Sequence, residues 1–223
     1  RAADTLRPVY EETGVDGVVS LEVSPHLAHD TEGTIEEARR LWDAVGRPNL
    51  MIKVPATEEG IPAIEQLLSE GINVNVTLMF SLGHYEKVAQ AYLRGLRRAD
   101  DPSGIVSVAS FFVSRVAREV DTRLDERGLT DAVDFDGSDV AIANARMAYR
   151  RFEEIFHGDD FADLREQGAF VQRPLWASTS TKDPTRSDVL YVESLIGEQT
   201  VNTIPPDTLD AFLDALEAGD VRA

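Results

Sequence analysis

Cysteine is absent from this 223-residue chain, and that absence removes several kinds of chemistry. Without thiols there can be no disulfide, no thiolate metal site and no cysteine nucleophile. Histidine is also scarce, and the four residues present do not form a metal-binding set: His26, His29, His84 and His157. The first two are three positions apart in a loop, without the helical histidine–carboxylate motif of zinc enzymes. We therefore expect no bound metal.

Basic residues are few: 22 lysines and arginines stand against 40 aspartates and glutamates, giving a net charge of −18 and a pI of about 4.5. Such a surface repels nucleic acid and anionic membranes, so we expect neither as a partner. It also repels small anions, so a phosphate-bearing substrate needs a local basic pocket. No apolar run approaches the length of a membrane span and no signal peptide is recognisable, so we expect a cytoplasmic protein.

The sequence motifs of nucleotide-binding proteins and of serine hydrolases are missing as well. No Gly-x-Gly-x-x-Gly follows a strand-like segment, and no glycine-rich phosphate loop precedes a lysine, which weakens a nucleotide-binding open sheet. No Gly-x-Ser-x-Gly elbow is present, which argues against a serine hydrolase.

The chain does contain a regular alternation of strand-like and helix-like segments. The apolar runs predict six strands, at 17–23, 50–56, 72–80, 105–112, 171–177 and 200–204. The helical patterns lie at 3–12, 34–45, 59–69, 81–98, 113–124, 138–156, 160–167, 187–196 and 207–218. The second helix is predicted to begin at a capping box formed by Thr34 and Glu37.

This alternation implies a parallel sheet with helical crossovers, either a (β/α) barrel or a doubly wound open sheet. Polar residues occur on many of the strands, as they do at the carboxyl-terminal face of a barrel. We therefore predict an α/β fold, a (β/α)8 TIM barrel with about six of its eight strand–helix units present. Residues 1–223 form one domain in this interpretation, and we place the two missing strands before Arg1.

Lysine is the rarest charged residue, with three copies against nineteen arginines, and Lys53 lies inside the apolar run Leu50–Ala56. Burial disfavours an ammonium, so the free amine becomes available to attack a carbonyl and form a Schiff base. Alternatively, the lysine stem lines a rim while its ammonium reaches solvent or a carboxylate. The strand alone leaves both readings open.

Further polar residues follow on other strands. Glu22, also in an apolar strand, is either a structural ion-pair partner of Lys53 or a general acid/base. Asn75 and Thr77 share one face of their strand, where they either bond to neighbours or orient a substrate hydroxyl and a water.

An anion pocket is the second candidate feature. Arg115 falls where a helix begins, just after the strand that carries Ser110, and an arginine beside a helix N-terminus suits a phosphate. Ser178 and Lys182, past the next strand, either complete this pocket or belong to an ordinary polar loop.

Six segments together resemble the transaldolase family, in particular its actinobacterial form. They occur in this order: VSLEVSPHLAHDT, NLMIKVPAT, EGINVNVTLMFS, VASFFVSR, QRPLWASTSTKDP and TVNTIPP. The resemblance covers essentially the whole chain and implies a class I aldolase barrel that uses neither metal nor cofactor. It implies transfer of a dihydroxyacetone unit from sedoheptulose 7-phosphate to glyceraldehyde 3-phosphate, in the non-oxidative pentose phosphate pathway.

The resemblance also implies roles for individual residues. Lys53 matches the lysine that forms a Schiff base with a ketose phosphate, and Glu22 and Thr77 match the pair that moves protons through a catalytic water. Asn75 matches the asparagine beside the Schiff base. Ser110 and Arg115 match the serine and arginine that hold the substrate phosphate.

Two departures from the family pattern accompany the resemblance. A second phosphate arginine is common after the seventh strand, whereas this chain offers only the stretch Ser178–Lys182. The family's first-strand aspartate and second-strand asparagine have no counterpart, and the C-terminal helical tail is shorter, so we expect a truncated chain with poor turnover. The alternatives are a different Schiff-base aldolase, a transaldolase domain from an isomerase fusion, and an inactive barrel remnant.

Overall fold

The computed structural model describes residues 1–181 and 185–221. Its six strands are β1 (Val19–Glu22), β2 (Leu50–Pro55), β3 (Val74–Met79), β4 (Ser107–Phe112), β5 (Arg173–Ala177) and β6 (Val201–Asn202). They form one sheet in chain order, and β1–β2, β2–β3 and β5–β6 pair in parallel. A doubly wound sheet reverses its strand order at a switch point, whereas a (β/α) barrel does not. The predicted α/β barrel topology with six strand–helix units is therefore confirmed.

Helices separate the strands as the alternation predicts. They are α1 (Ala2–Thr13), α2 (Thr31–Val45), α3 (Gly60–Ser69), α4 (Leu82–Arg98), α5 (Ser114–Glu126), α6 (Gly137–Phe156), α7 (Ala162–Glu166), α8 (Leu190–Ser194) and α9 (Pro206–Ala218). No helix within the described ranges is long and apolar enough to cross a membrane.

The predicted start of α2 is wrong. Asp30 is its N-cap, and its carboxylate accepts a hydrogen bond from the backbone N–H of Gly33. Thr34 lies one turn inside the helix and donates to the Leu27 carbonyl instead, while Glu37 accepts from the backbone N–H of Ser24. A capping box and a single aspartate cap are both good local solutions. The loop after β1 decides between them because it uses the Thr34 and Glu37 side chains.

Two elements near the C-terminus are shorter than predicted. β6 keeps only Val201 and Asn202, and the prolines that soon follow lack the N–H a longer strand would use. The helix predicted at 187–196 begins only at Leu190. Ser187 explains its late start, because its hydroxyl accepts from the Val189 N–H and so competes with the first helical turn.

The described residues cluster into two compact units. The first comprises 1–78, 83–109 and 153–172, and the second comprises 79–82, 110–152 and 173–223. In the first unit α3 and α4 pack closely at Gly95, where an added Cβ would lie 2.8 Å from the Leu68 side chain and 2.9 Å from the Glu65 carbonyl. In the second unit the buried Phe111 and Trp176 rings meet edge to face, with centroids 6.4 Å apart. That residues 1–223 form one domain stays a prediction.

A bidentate ion pair fixes the end of α4 in the first unit, and it supports a pH prediction. Arg97 donates to both carboxylate oxygens of Asp163, at 2.9 and 3.0 Å, and this hydrogen bonding lowers the pKa of Asp163. A lowered carboxylate pKa stabilises the fold above the unfolded-state pKa of about 4, and that stability is lost as pH falls through the folded-state pKa. We expect Asp163→Asn to lower the free energy of unfolding by at most about 1 kcal/mol at pH 7, since the pair is half exposed.

Urea unfolding of the parent and Asp163→Asn at pH 7 and at decreasing pH below 4 checks this prediction. The difference in unfolding free energy should shrink as the parent carboxylate takes up its proton. A difference that stays constant with pH would contradict the ion-pair explanation.

Candidate active site

Three polar side chains of the first unit stand in one row across neighbouring strands. Glu22 on β1 is in register with Lys53 on β2, and Lys53 is in register with Asn75 on β3. Residues in register on paired strands share a face of the sheet, so these side chains project together. The Lys53 ammonium donates to Glu22 Oε2 at 3.2 Å. The structure thus brings together a primary amine, a carboxylate and an amide.

The two charges are less embedded than the sequence suggests. The Lys53 side chain is 29 % exposed and that of Glu22 is 48 % exposed. β1 is the first strand of the sheet, and its residues Ser20, Leu21 and Glu22 are all exposed, so apolar neighbours in sequence do not bury the carboxylate. The strand that carries Lys53 is buried: all residues of β2 except Lys53 itself are buried. Lys53 is therefore both ion-paired and accessible from solvent.

The side chains of Asn75 and Thr77 differ in their hydrogen bonding. Asn75 is 5 % exposed, and its amide nitrogen donates to the Ser20 hydroxyl at 2.9 Å. Thr77 is fully buried, and its hydroxyl has no hydrogen-bond partner among the described residues. A buried hydroxyl without a partner costs about 1–3 kcal/mol, so a group that accepts or donates at this position would be favoured there.

The backbone is strained directly after Thr77. Leu78 has a φ of 65°, in the left-handed region that a leucine rarely adopts. Such strain costs about 1–3 kcal/mol and persists where surrounding contacts hold it. One such contact is the hydrogen bond from the Ala56 N–H to the Thr77 carbonyl at 2.9 Å, which ties the end of β3 to the end of β2.

The candidate anion residues lie in the second unit. Ser110 is buried in β4 at 2 % exposure. Arg115 is the second residue of α5, and its guanidinium lies 4.7 Å from the centroid of the Phe112 ring. Ser178 follows β5 with a φ of 58°, and its hydroxyl is 2.8 Å from that of Ser114. Hydroxyls and an arginine therefore gather at the N-terminus of α5.

Lys182 lies outside the described residues. Arg186, the next basic residue along the chain, forms a close ion pair with Asp136 ahead of α6. Asp136 also accepts from the N–H groups of Ser138 and Asp139. This arginine is therefore engaged at the start of α6.

The histidines form no metal site. Within the described part of the chain, no group of three or more histidine, aspartate and glutamate side chains could hold a metal ion. His29 Nδ1 lies 3.1 Å from Glu59 Oε2, and this hydrogen bond lowers the pKa of the Glu59 carboxyl. His84 contacts the backbone carbonyl of Ala56 just beyond β2.

Two clefts lie among the helices. One of about 430 Å³ lies between α6 and the segment after α8, and one of about 470 Å³ lies between α2 and α3. Neither is lined by Glu22, Lys53, Asn75 or Thr77. The candidate site is therefore identified by the arrangement of its functional groups.

Sequence reasoning missed two residues, and each had a signal. Ser20 lies two positions before Glu22, so the period of a strand already placed both side chains on one face. Ser114 lies in the sequence between Ser110 and Arg115 and is the first residue of α5. Hydroxyls at the start of a helix commonly accept hydrogen bonds from backbone N–H groups. Their partners, Asn75 and Ser178, are distant in sequence, so the hydrogen bonds themselves could not be predicted.

Comparison with known proteins adds independent findings. A family model described as transaldolase/fructose-6-phosphate aldolase matches residues 1–220. A protein named transaldolase from Thermobifida fusca is 58 % identical over 218 residues, which cover 96 % of this chain and 59 % of that protein. Transaldolase 1 from Streptomyces avermitilis is 56 % identical over 96 % of this chain and 57 % of its own length. This chain thus spans less than two thirds of the length of these curated relatives.

Proposed function

Because the chain belongs to the transaldolase/fructose-6-phosphate aldolase family, we propose that it carries the Schiff-base centre of a transaldolase. The observation that carries this proposal is the row of Glu22, Lys53 and Asn75, with the Lys53 amine 3.2 Å from a carboxylate. A primary amine that can pass a proton to a fixed carboxylate is what imine formation with a ketose requires.

In the proposed reaction the Lys53 ammonium first gives a proton to Glu22. The free amine adds to the ketose carbonyl carbon, and protonation of the resulting hydroxyl releases it as water and leaves an iminium. The iminium accepts the electron pair of the carbon–carbon bond one position beyond its own carbon, and the hydroxyl on the departing carbon gives its proton to the Glu22 carboxylate, which lost its own proton when water left. An aldehyde leaves, and a dihydroxyacetone unit stays on Lys53 until an acceptor aldehyde takes it. Water then adds to the new iminium and releases the product ketose and the Lys53 amine.

Thr77 and Asn75 have supporting roles in this proposal. The buried Thr77 hydroxyl, which lacks a partner among the described residues, suits a water that relays protons between Glu22 and the carbinolamine. The Asn75 amide, held by Ser20, suits a substrate hydroxyl beside the imine. Both groups are neutral, so they orient the substrate without competing for the proton.

Phosphate binding is proposed for Ser110 and Arg115, with Ser114 and Ser178 beside them. An arginine at a helix N-terminus combines a charge-assisted hydrogen bond with the positive end of the helix dipole. The Phe112 ring supports the guanidinium of Arg115 by a cation–π contact. This local positive charge attracts the phosphate group, whereas the net charge of −18 on the whole chain repels it.

On this basis we propose transfer from sedoheptulose 7-phosphate to glyceraldehyde 3-phosphate, giving erythrose 4-phosphate and fructose 6-phosphate. Incubation with fructose 6-phosphate and borohydride, followed by peptide mass mapping, tests the centre. The expected result is a reduced sugar adduct on Lys53, and its mass tells whether carbon–carbon cleavage preceded reduction. Glucitol 6-phosphate, which has no carbonyl, is the control.

Lys87 provides an internal reference for this experiment because it lies on α4 as an exposed lysine. An adduct on Lys53 in clear excess over Lys87 supports the Schiff-base centre. Equal labelling of both lysines, or no label on Lys53 in protein with a cooperative thermal transition, would overturn it.

A further inference from the structure

We propose that His84 is a positioning residue, which holds the carboxyl end of the Lys53 strand so that the Lys53 amine stays beside Glu22. This inference rests on the proposed function for the role of Lys53, whereas the contacts that carry it belong to the first unit alone. His84 belongs to the first turn of α4, and its ring nitrogen Nε2 is hydrogen-bonded to the carbonyl of Ala56.

β2 ends at Pro55, two residues after Lys53, and the next residue is held by a strand on one side and by a side chain on the other. The Ala56 N–H still pairs with the Thr77 carbonyl of β3, at 2.9 Å. The Ala56 carbonyl, however, is taken by an imidazole and not by a neighbouring strand. Movement of this peptide would be passed directly to Lys53, three residues earlier on the same extended segment.

The opposite side of the same turn is fixed by Thr57. Its hydroxyl donates to the Ala28 carbonyl at 2.5 Å, in the loop after β1, and accepts from the Gly60 N–H at 2.9 Å. The turn after β2 is therefore held toward β1 by Thr57 and toward α4 by His84. The Lys53–Glu22 contact joins β2 to β1. Both the Thr57 and the His84 hydrogen bonds therefore affect the distance between the Lys53 amine and the Glu22 carboxylate.

His84 is itself well anchored. The next residue, Tyr85, is 1 % exposed, and Val88 and Ala89 on the following turn are fully buried. A carbonyl oxygen can only accept, so the Nε2 atom of His84 carries the hydrogen in this bond. The ring thus acts as a hydrogen-bond donor at a fixed position, and the role proposed for it is geometric.

The matched variants His84→Gln and His84→Asn test this role. The amide nitrogen of glutamine stands as many bonds from the Cα as histidine Nε2, whereas that of asparagine stands one bond closer. We expect His84→Asn to form the reduced adduct on Lys53 about tenfold more slowly at saturating fructose 6-phosphate, with a half-saturating concentration within about twofold of the parent. His84→Gln should stay within about threefold of the parent and keep the shape of its pH profile.

Amide hydrogen exchange of the peptide spanning residues 52–58 is a second readout that needs no chemistry. Faster exchange is expected in His84→Asn than in the parent or His84→Gln. If the parent itself forms no adduct, the proposed function fails, and the exchange rates still decide whether His84 holds the strand. The inference is overturned if His84→Asn matches the parent in exchange, or if His84→Gln loses the adduct as completely as His84→Asn while remaining folded.

Discussion

Lys53→Met is expected to abolish the borohydride-trapped adduct, lowering its rate of formation by about a thousandfold or more. Without the amine there is no atom to add to the ketose carbonyl, and loss of a covalent nucleophile typically costs this much or more. Methionine keeps the unbranched stem and its packing in β2. Glu22 loses its partner, but its carboxylate is 48 % exposed, so the fold should lose at most about 1 kcal/mol.

Two further variants make the result specific. Lys53→Arg keeps a cation that can reach Glu22, yet a guanidinium stays protonated and forms no imine, so this variant should also lack the adduct. Lys87→Met removes an exposed lysine of α4 and should behave like the parent. Rate measurements by mass spectrometry, together with thermal unfolding of each variant, give the comparison. Parent-like adduct formation in Lys53→Met would place the reactive amine elsewhere.

Gly60→Ala is expected to destabilise the fold by about 3 kcal/mol, through a clash next to the Lys53 strand. A Cβ at this position would lie 2.0 Å from the Pro55 carbonyl oxygen and 2.9 Å from the Thr57 hydroxyl. Neither neighbour can move freely, because Pro55 is part of β2 and Thr57 is bonded to the Ala28 carbonyl. Overpacking of a fixed backbone commonly costs about 1–3 kcal/mol and occasionally more.

Gly83→Ala is the matched control, since Gly83 also lies in the first turn of a helix. Nothing lies within 4 Å of its added Cβ, so alanine should stabilise α4 by about 0.5–1 kcal/mol. Urea unfolding of the parent and both variants measures the difference. If Gly60→Ala proved as stable as Gly83→Ala, the close approach of α3 to the end of β2 would not be what requires glycine.

The sequence predicts the row around Lys53 because its signals are local. Strand periodicity places Asn75 and Thr77 on one face, and the alternation of strands with helices fixes the order in which Glu22, Lys53 and Asn75 become neighbours. The same alternation predicts six parallel strands, and the polar residues on many of them favour the barrel order. These features depend on the spacing of residues within single elements, which can be read without knowing what packs against them.

Other features depended on partners that are distant in sequence. The capping box at Thr34 was locally plausible, but the side chains of Thr34 and Glu37 form hydrogen bonds with the loop after β1 instead. Glu22 is more exposed than its apolar neighbours in sequence suggest, and Ser20 and Leu21 of the same strand are exposed with it. Left-handed Leu78 and Ser178 carry no sequence signal of the kind that glycine or asparagine gives. In each case contacts across the fold override a local preference.

The pairing of Lys53 with Glu22 at an accessible position also has a practical meaning for protein chemistry. With two other lysines in the whole chain, amine-directed reagents meet very few competing side chains. A reagent that carries an aldehyde or ketone would combine this scarcity with imine chemistry at Lys53. The scarcity of lysine thus limits the attachment of probes, surfaces or inhibitors through amines to a few defined positions, and Lys53 among them is paired with a carboxylate.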